Sequence, residues 1–114
     1  MVEDLAMAKD WIEIGCVDDI PSRGSRWVNL AGGHVSVAIF RTSDDEIFAL
    51  IDRCPHRDGQ LSEGIVSDRS VACPLHGWVI ALDTGFAWAP DEGCTPTVPV
   101  KLIGRRIYIA PPDA

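Results

Sequence analysis

The chain has 114 residues, 46% of them hydrophobic, and a formal net charge of -7 at neutral pH. This length suits one domain with one modest core, and the hydrophobic content is that of a globular protein, not a disordered one. The acidic balance argues against nucleic acid as a partner, because phosphates require a basic protein face. It is compatible with docking on a basic protein partner and with simple solubility.

The N-terminus and the short apolar runs predict a cytoplasmic protein without membrane association. The acidic start, MVEDLAMAKDW, has neither the basic nor the apolar region of a signal peptide. The longest apolar runs, such as residues 78–82, span only a few residues, whereas a membrane helix needs about 20. We expect residues 1–10 to form a short N-terminal tail and residues 11–112 to form a single domain.

Short segments with strand character, separated by turn residues, run through the chain. Ten Gly and eight Pro residues interrupt the sequence, and only residues 3–9 show weak helical character. The Gly32-Gly33 pair predicts a hairpin turn, and Pro99 predicts an edge or irregular strand. The predicted strands are residues 11–14, 26–30, 35–40, 46–51, 70–72, 78–82, 97–102 and 106–110. This pattern predicts an all-β protein, either a sandwich or a small barrel.

One connection, residues 53–70, is longer than the others and rich in Arg, Asp, Gly and Ser. A connection of this length in so small a domain is usually functional. Cys54 and His56 stand at its start, and Cys73 and His76 follow its end. The chain therefore presents a Cys-Pro pair followed by His twice, as CPH and as CPLH.

Two thiols and two imidazoles form a ligand set for a transition metal. Two centres accept this set: a tetrahedral zinc ion, and a [2Fe–2S] cluster with both cysteines on one iron and both histidines on the other. Zinc knuckles usually pair like with like and stabilise domains too small to fold alone, so the alternating order favours the cluster. A redox dithiol is disfavoured because no CxxC motif is present.

Four residues outside the ligand motif have simpler interpretations. Cys16 and Cys94 are predicted to be core or strand-end thiols, because a reducing compartment disfavours a disulfide. Trp78 and Trp88 are predicted to be packing residues.

The segments CPHRDGQLSEGIV and VACPLHGWVIALDTG resemble the cluster-binding signature of Rieske proteins, C-x-H followed by C-x-x-H. Sixteen residues separate His56 from Cys73 in this chain. The resemblance implies an all-β Rieske-type fold of stacked small antiparallel sheets with two cluster-binding loops. It also implies one [2Fe–2S] cluster per chain, held by Cys54, His56, Cys73 and His76.

Within the Rieske proteins the chain is similar to the small subunit of the assimilatory NAD(P)H-dependent nitrite reductase. The similarity lies in CPHRxGQLSEGIV, CPLHGW and the C-terminal TPTVPVKLIGRRIYI. It implies an electron-transfer subunit of a cytoplasmic enzyme whose large flavin and sirohaem subunit reduces nitrite to ammonium. With all four cluster ligands supplied by protein and no open metal position, we do not expect the chain to catalyse alone.

Two alternatives to the nitrite reductase interpretation remain open at this stage. The first is a free Rieske ferredoxin that delivers electrons to a ring-hydroxylating oxygenase, and it uses the same cluster. The second is a non-redox binding subunit, either stabilised by zinc or free of metal.

The sequence also predicts a low reduction potential for the cluster. High-potential Rieske proteins resemble one another in an extra cysteine in each loop and a serine after the second His-Gly, where this chain has Trp78. Rieske potentials span about -150 to +300 mV, and we expect a midpoint near the lower end. Protein-film voltammetry measures this midpoint, and a value well above about +100 mV would contradict the prediction.

Overall fold

The computed structural model describes residues 11–30, 35–53, 60–74, 77–88 and 93–110. Within these ranges the regular structure consists of short strands and two 3-10 turns, Val17–Asp19 and Leu61–Glu63, and no helix is long and apolar enough to cross a membrane. The all-β prediction is confirmed. The strands are β1 (Ile12–Cys16), β2 (Ser25–Leu30), β3 (Val35–Arg41), β4 (Ile47–Ile51), β5 (Ile65–Ser67), β6 (Ser70–Ala72), β7 (Val79–Ala81), β8 (Thr97–Val98), β9 (Val100–Ile103) and β10 (Arg106–Ile109).

The strands form three small antiparallel sheets, of which one lies between the other two. The central sheet has the order β2-β3-β4-β8, and the others have the orders β1-β10-β9 and β5-β6-β7. Each face of the central sheet carries its own apolar core. The site-side core joins it to β5-β6-β7 and contains Ala38, Phe40, Leu50, Leu61, Val66, Val71, Cys73, Ile80 and Leu82. The far-side core joins it to β1-β10-β9 and contains Val17, Ile20, Val37, Ile39, Ile47, Ala49, Val98, Ile107 and Ile109.

Strand β3 is buried on both faces, although its sequence pattern indicates one. The alternation of Val35, Val37 and Ile39 predicts a single core-facing side. In the structure Ala38 and Phe40, on the other side, are equally buried, because β5-β6-β7 covers that face. Complete burial of a Val, Ile or Phe side chain stabilises the fold by roughly 1.5–3 kcal/mol. Both cores therefore depend on the side chains of β3.

Pro99 marks the point at which the chain changes sheets. The sequence predicts one irregular strand over residues 97–102, whereas the structure has β8 in the central sheet and β9 in the sheet with β10. Proline has no N–H to donate to a ladder, so the pairing stops there. The predicted irregularity at Pro99 is therefore confirmed, and the single strand is corrected to two.

The strands on either side of Gly32-Gly33 pair as the hairpin prediction requires. β2 and β3 are antiparallel, and the last pair before the turn joins Leu30 to Val35. The turn itself, residues 31–34, lies outside the described residues, as do the weak helical segment at residues 3–9 and the predicted tail at residues 1–10.

The long connection contains more structure than its sequence indicates. Leu61–Glu63 forms a 3-10 turn, and β5 follows it before the chain turns back into β6. β5 has three residues and lies within a connection rich in Arg, Asp, Gly and Ser, so its sequence indicates a loop. It becomes a strand by pairing with β6.

Candidate metal centre

The structure describes one of the four predicted ligands, Cys73, directly after β6. Its side chain is buried in the site-side core beside residues such as Leu61 and Val71. Cys54, His56 and His76 lie outside the described residues, so their arrangement with Cys73 stays a prediction. Within the described ranges no three His, Cys, Asp or Glu side chains form a group that could hold a metal.

The segment after Cys73 is a short loop closed at its base by two backbone hydrogen bonds. The N–H of Cys73 donates to the carbonyl of Trp78 at 2.7 Å, and the N–H of Gly77 donates to the carbonyl of Cys73 at 3.0 Å. Gly77 has a φ of +73°, which favours glycine. We name residues 74–77 the second loop. It contains His76 and is fixed at its base by the strands that flank it.

Hydrogen bonds between Asp52 and Ser62 close the base of the segment that follows β4. Asp52 is 8% exposed, and its carboxylate accepts hydrogen bonds from the Ser62 backbone N–H at 2.8 Å and from the Ser62 hydroxyl at 2.6 Å. These bonds join the two ends of residues 53–61, which we name the first loop and which contain Cys54 and His56. The Ser25 hydroxyl donates to the carbonyl of Ser62, which ties the same point to β2.

Gly64 brings the end of the first loop against the start of the second. A Cβ at this position would lie 2.2 Å from the carbonyl oxygen of Ala72, the residue before Cys73. The φ of Gly64, -81°, is open to any residue. The glycine is required by close backbone contact, which the sequence does not reveal.

A third segment, residues 86–88, lies along the side of β7 that does not pair with β6. The N–H of Trp88 donates to the carbonyl of Val79 at 2.8 Å, and Ala87 forms a bridge with Ile80. Phe86 forms a second bridge with Cys94. The segment therefore extends the β5-β6-β7 sheet beyond β7, on the side next to Trp78.

Outcomes at the remaining predicted residues are mixed. Cys16 ends β1 and Cys94 lies at an isolated bridge, as strand-end thiols, and neither forms a disulfide in the described ranges. Trp78 packs against the site-side core as predicted. The packing prediction for Trp88 is wrong, because 54% of this residue is exposed.

Charged pairs with a clear effect on pKa lie on the opposite side of the molecule. A hydrogen bond from Arg105 lowers the pKa of Asp18, and the same contact raises the pKa of Arg105. A hydrogen bond to Glu13 raises the pKa of Arg106. These groups belong to β1, β10 and their connections, beyond the central sheet from Cys73.

Residues 10–99 match the Rieske [2Fe-2S] domain, and the chain belongs to this family. It is 37% identical over 103 residues to the anthranilate 1,2-dioxygenase ferredoxin subunit of Burkholderia cepacia, with 90% of this chain and 88% of that protein covered. It is 31% identical over 109 residues to the ferredoxin component of the naphthalene 1,2-dioxygenase/salicylate 5-hydroxylase systems of a Ralstonia species, with 90% and 97% covered.

Solved structures of two functional classes share the fold. A complex of reduced oxygenase and oxidised ferredoxin in carbazole 1,9a-dioxygenase contains a chain that superposes with a TM-score of 0.78 at 26% identity, covering 88% of this chain and 92% of that one. A structure described as an NADH-dependent nitrite reductase small subunit from Mycobacterium tuberculosis gives a TM-score of 0.81 at 26% identity, covering 93% and 98%.

The comparisons correct the predicted function. The sequence relatives at 31–37% identity are ferredoxins of dioxygenase systems, so the prediction of a nitrite reductase subunit is wrong. Two residues of the quoted segment CPHRxGQLSEGIV have structural roles. Ser62 and Gly64, which belong to it, hold the first loop in place within the fold. Residues with this structural role do not distinguish one redox partner from another.

The protein is a Rieske protein with a [2Fe–2S] cluster, and the described part of the site fits that group. The Cys73 thiol lies in an apolar, buried position at a strand end, where a sulfur ligand is shielded from water. The predicted donor set of two thiolates and two imidazoles is that of a Rieske cluster.

Proposed function

We propose that this protein is a Rieske ferredoxin that carries single electrons to the oxygenase component of a ring-hydroxylating dioxygenase system. The observation that carries the proposal is the 37% identity with the anthranilate 1,2-dioxygenase ferredoxin subunit over nearly the whole of both chains. The likeness to solved structures supports a redox protein as the partner, since a carbazole dioxygenase ferredoxin was crystallised with its oxygenase.

In this proposal Cys54 and Cys73 hold one iron, and His56 and His76 hold the other. The cluster supplies the capacity to accept one electron from a reductase and to release it to an oxygenase. The rest of the chain positions the ligands. The Asp52–Ser62 hydrogen bonds close the base of the first loop, and the backbone bonds of Cys73 with Trp78 and Gly77 close the base of the second. Substrate oxidation takes place on the partner, and the chain serves as the electron-transfer component of the system.

We further propose that residues 11–112 form one domain and that the protein acts in the cytoplasm. The Rieske match covers residues 10–99, and β10 completes the far-side core beyond it. The thiols of Cys16 and Cys94 suit a reducing compartment.

A reconstituted electron-transfer assay tests the proposed function. The purified protein is combined with the reductase and oxygenase components of the Burkholderia cepacia anthranilate system, and product formation is measured with and without it. We expect turnover to depend on this protein, and the reduced protein to give the rhombic EPR spectrum of mixed Cys and His ligation. His56→Cys and His76→Cys should each change that spectrum while the β fold, followed by circular dichroism, is retained.

Two results would count against the proposal. A protein with an intact cluster that supports a sirohaem nitrite reductase but not the oxygenase would overturn the choice of partner. An unchanged EPR spectrum in either histidine variant would remove that residue from the ligand set.

A further inference from the structure

The face of the β5-β6-β7 sheet turned away from the core carries a row of apolar side chains. Ile65 pairs with Ala72, and Ala72 pairs with Val79. Trp88 continues the row, because its N–H donates to the carbonyl of Val79. Residues directly opposite one another in antiparallel strands lie on the same face, so these four side chains are neighbours.

Phe86 and Ala81 extend this row along the sheet. The N–H of Ala81 donates to the carbonyl of Phe86 at 2.9 Å, which places Phe86 two residues from Trp88 on the same face. We name the set Ile65, Ala72, Val79, Ala81, Phe86 and Trp88 the outer face.

The three large side chains of the outer face are among the most exposed apolar residues that the structure describes. Ile65 is 72% exposed, Phe86 is 59% exposed and Trp88 is 54% exposed. Single exposed apolar residues are ordinary on a protein surface, but a contiguous group indicates an interaction site. Two of the three are aromatic, and aromatic residues are enriched in the centres of protein interfaces.

The outer face adjoins the metal centre directly. Ala72 precedes Cys73 in the chain, and Val79 follows Trp78, whose carbonyl accepts the hydrogen bond from Cys73. A protein that covers this face therefore lies beside the base of the second loop and close to the predicted ligand Cys73.

The charges around the outer face are negative. Glu63, Asp68 and Asp83 are exposed in the connections that border it. Among the described residues between positions 60 and 88, Arg69 is the only basic one. Its guanidinium is 3.3 Å from the Glu46 carboxylate and 5.3 Å from the centre of the Phe48 ring, so it is paired with residues at the start of β4.

We propose that the outer face binds the oxygenase component of the dioxygenase system, through a partner surface with an apolar centre and a basic rim. This inference rests on the proposed function and adds the surface that serves it. A second copy of the chain fits poorly, because it would bring the same acidic rim against this one, and like charges across an interface are costly. Trp88 and Phe86 form the apolar centre, with Ile65 at the opposite edge.

Isothermal titration tests this assignment with the cluster-loaded protein and the oxygenase component of the Burkholderia cepacia anthranilate system. The variant Phe86→Ser/Trp88→Ser removes the apolar centre. The matched control is Leu102→Ser/Ile103→Ser, which removes two exposed apolar residues from β9, across the central sheet. We expect the Kd to rise roughly tenfold or more for the first variant, as for truncated interface hot spots, and to stay within about twofold for the control.

Two further variants keep the test decisive. Ile65→Thr retains a β-branched residue on β5, so it reports on the outer face if the aromatic variant fails to fold, and it should also weaken binding. Glu63→Lys should weaken binding and reduce its dependence on salt, because it removes one contribution to the acidic rim. Circular dichroism and the visible spectrum establish that each variant is folded and loaded.

Other binding partners of the outer face would give different results in these titrations. An unchanged Kd for the oxygenase in folded Phe86→Ser/Trp88→Ser and Ile65→Thr would overturn the assignment. A loss of affinity for the reductase alone would also overturn the assignment. A dimer of the wild-type protein that Phe86→Ser/Trp88→Ser abolishes would overturn it as well. A cluster-loaded wild-type protein that binds no oxygenase at all would overturn the proposed function itself.

Discussion

Gly64→Ala is expected to lower the free energy of unfolding by about 3 kcal/mol or more and to reduce the yield of cluster-loaded protein. The added Cβ would lie 2.2 Å from the Ala72 carbonyl oxygen and 2.9 Å from a methyl carbon of Val71. Overpacking usually costs about 1–3 kcal/mol, and the upper end applies here because a backbone atom cannot rotate away. Relief requires β6 to move away from the first loop, and Cys73 moves with it.

The matched control for this prediction is Gly104→Ala in the turn between β9 and β10. A Cβ there would meet nothing within 4 Å, so only its φ of +60° opposes the substitution. We expect a loss of about 1–2 kcal/mol in urea unfolding, with an unchanged visible spectrum. If Gly64→Ala proves no less stable than Gly104→Ala, the close contact does not constrain the loops.

Asp52→Ala is expected to destabilise the first loop and to accelerate loss of the cluster. It removes the acceptor of two hydrogen bonds and leaves the Ser62 N–H and hydroxyl without that partner. Removing one partner of a part-buried hydrogen bond costs about 1–3 kcal/mol. Asp52→Asn keeps one acceptor oxygen and should lose less. The measurements are the urea midpoint and the rate at which visible absorbance decays in the presence of an iron chelator.

Thr42→Ala provides the comparison at the opposite end of β4. Thr42 is buried, and its hydroxyl accepts from the N–H of Asp44 at 3.3 Å and from that of Glu46 at 3.0 Å. We expect a comparable loss of stability but no change in cluster retention, because this turn lies away from both loops. Equal rates of cluster loss in Asp52→Ala and Thr42→Ala would show that Asp52 has no special influence on the site.

The Rieske family and most of the strands could be predicted because both follow from local properties of the sequence. The spacing of cysteine and histidine defines a donor set whatever the fold, and strands such as β3 and β10 carry enough β-branched residues to be recognised alone. β5 was missed because its three residues lie within a connection rich in Arg, Asp, Gly and Ser, a composition that predicts a loop. The division at Pro99 was missed because a proline indicates a broken ladder but not which sheet the chain enters next.

The requirement for glycine at position 64 and the identity of the redox partner are not local properties. They could therefore not be predicted from sequence patterns as the strands were. Gly64 is explained by the carbonyl oxygen of Ala72 on β6, which comes against it only when β5 and β6 pair. In our proposal the partner is recognised through surface residues such as Phe86 and Trp88, whereas the motif that suggested nitrite reductase includes residues near the base of the first loop. In this view, the geometry of the loops and the recognition of a partner depend on different residues.

Because β3 is buried on both faces, the domain has two separate apolar cores. Residues of one core can change in evolution while those of the other stay the same. The site-side core packs beneath the β5-β6-β7 sheet, for which we propose a partner-binding role, and the far-side core closes the fold behind the central sheet. Substitutions separated by a packed layer of this kind contribute to stability almost additively. One scaffold can therefore acquire a new partner through its site-side layer while the layer behind the central sheet keeps it folded. Solved structures from both dioxygenase and nitrite reductase systems share this architecture, as such a separation allows.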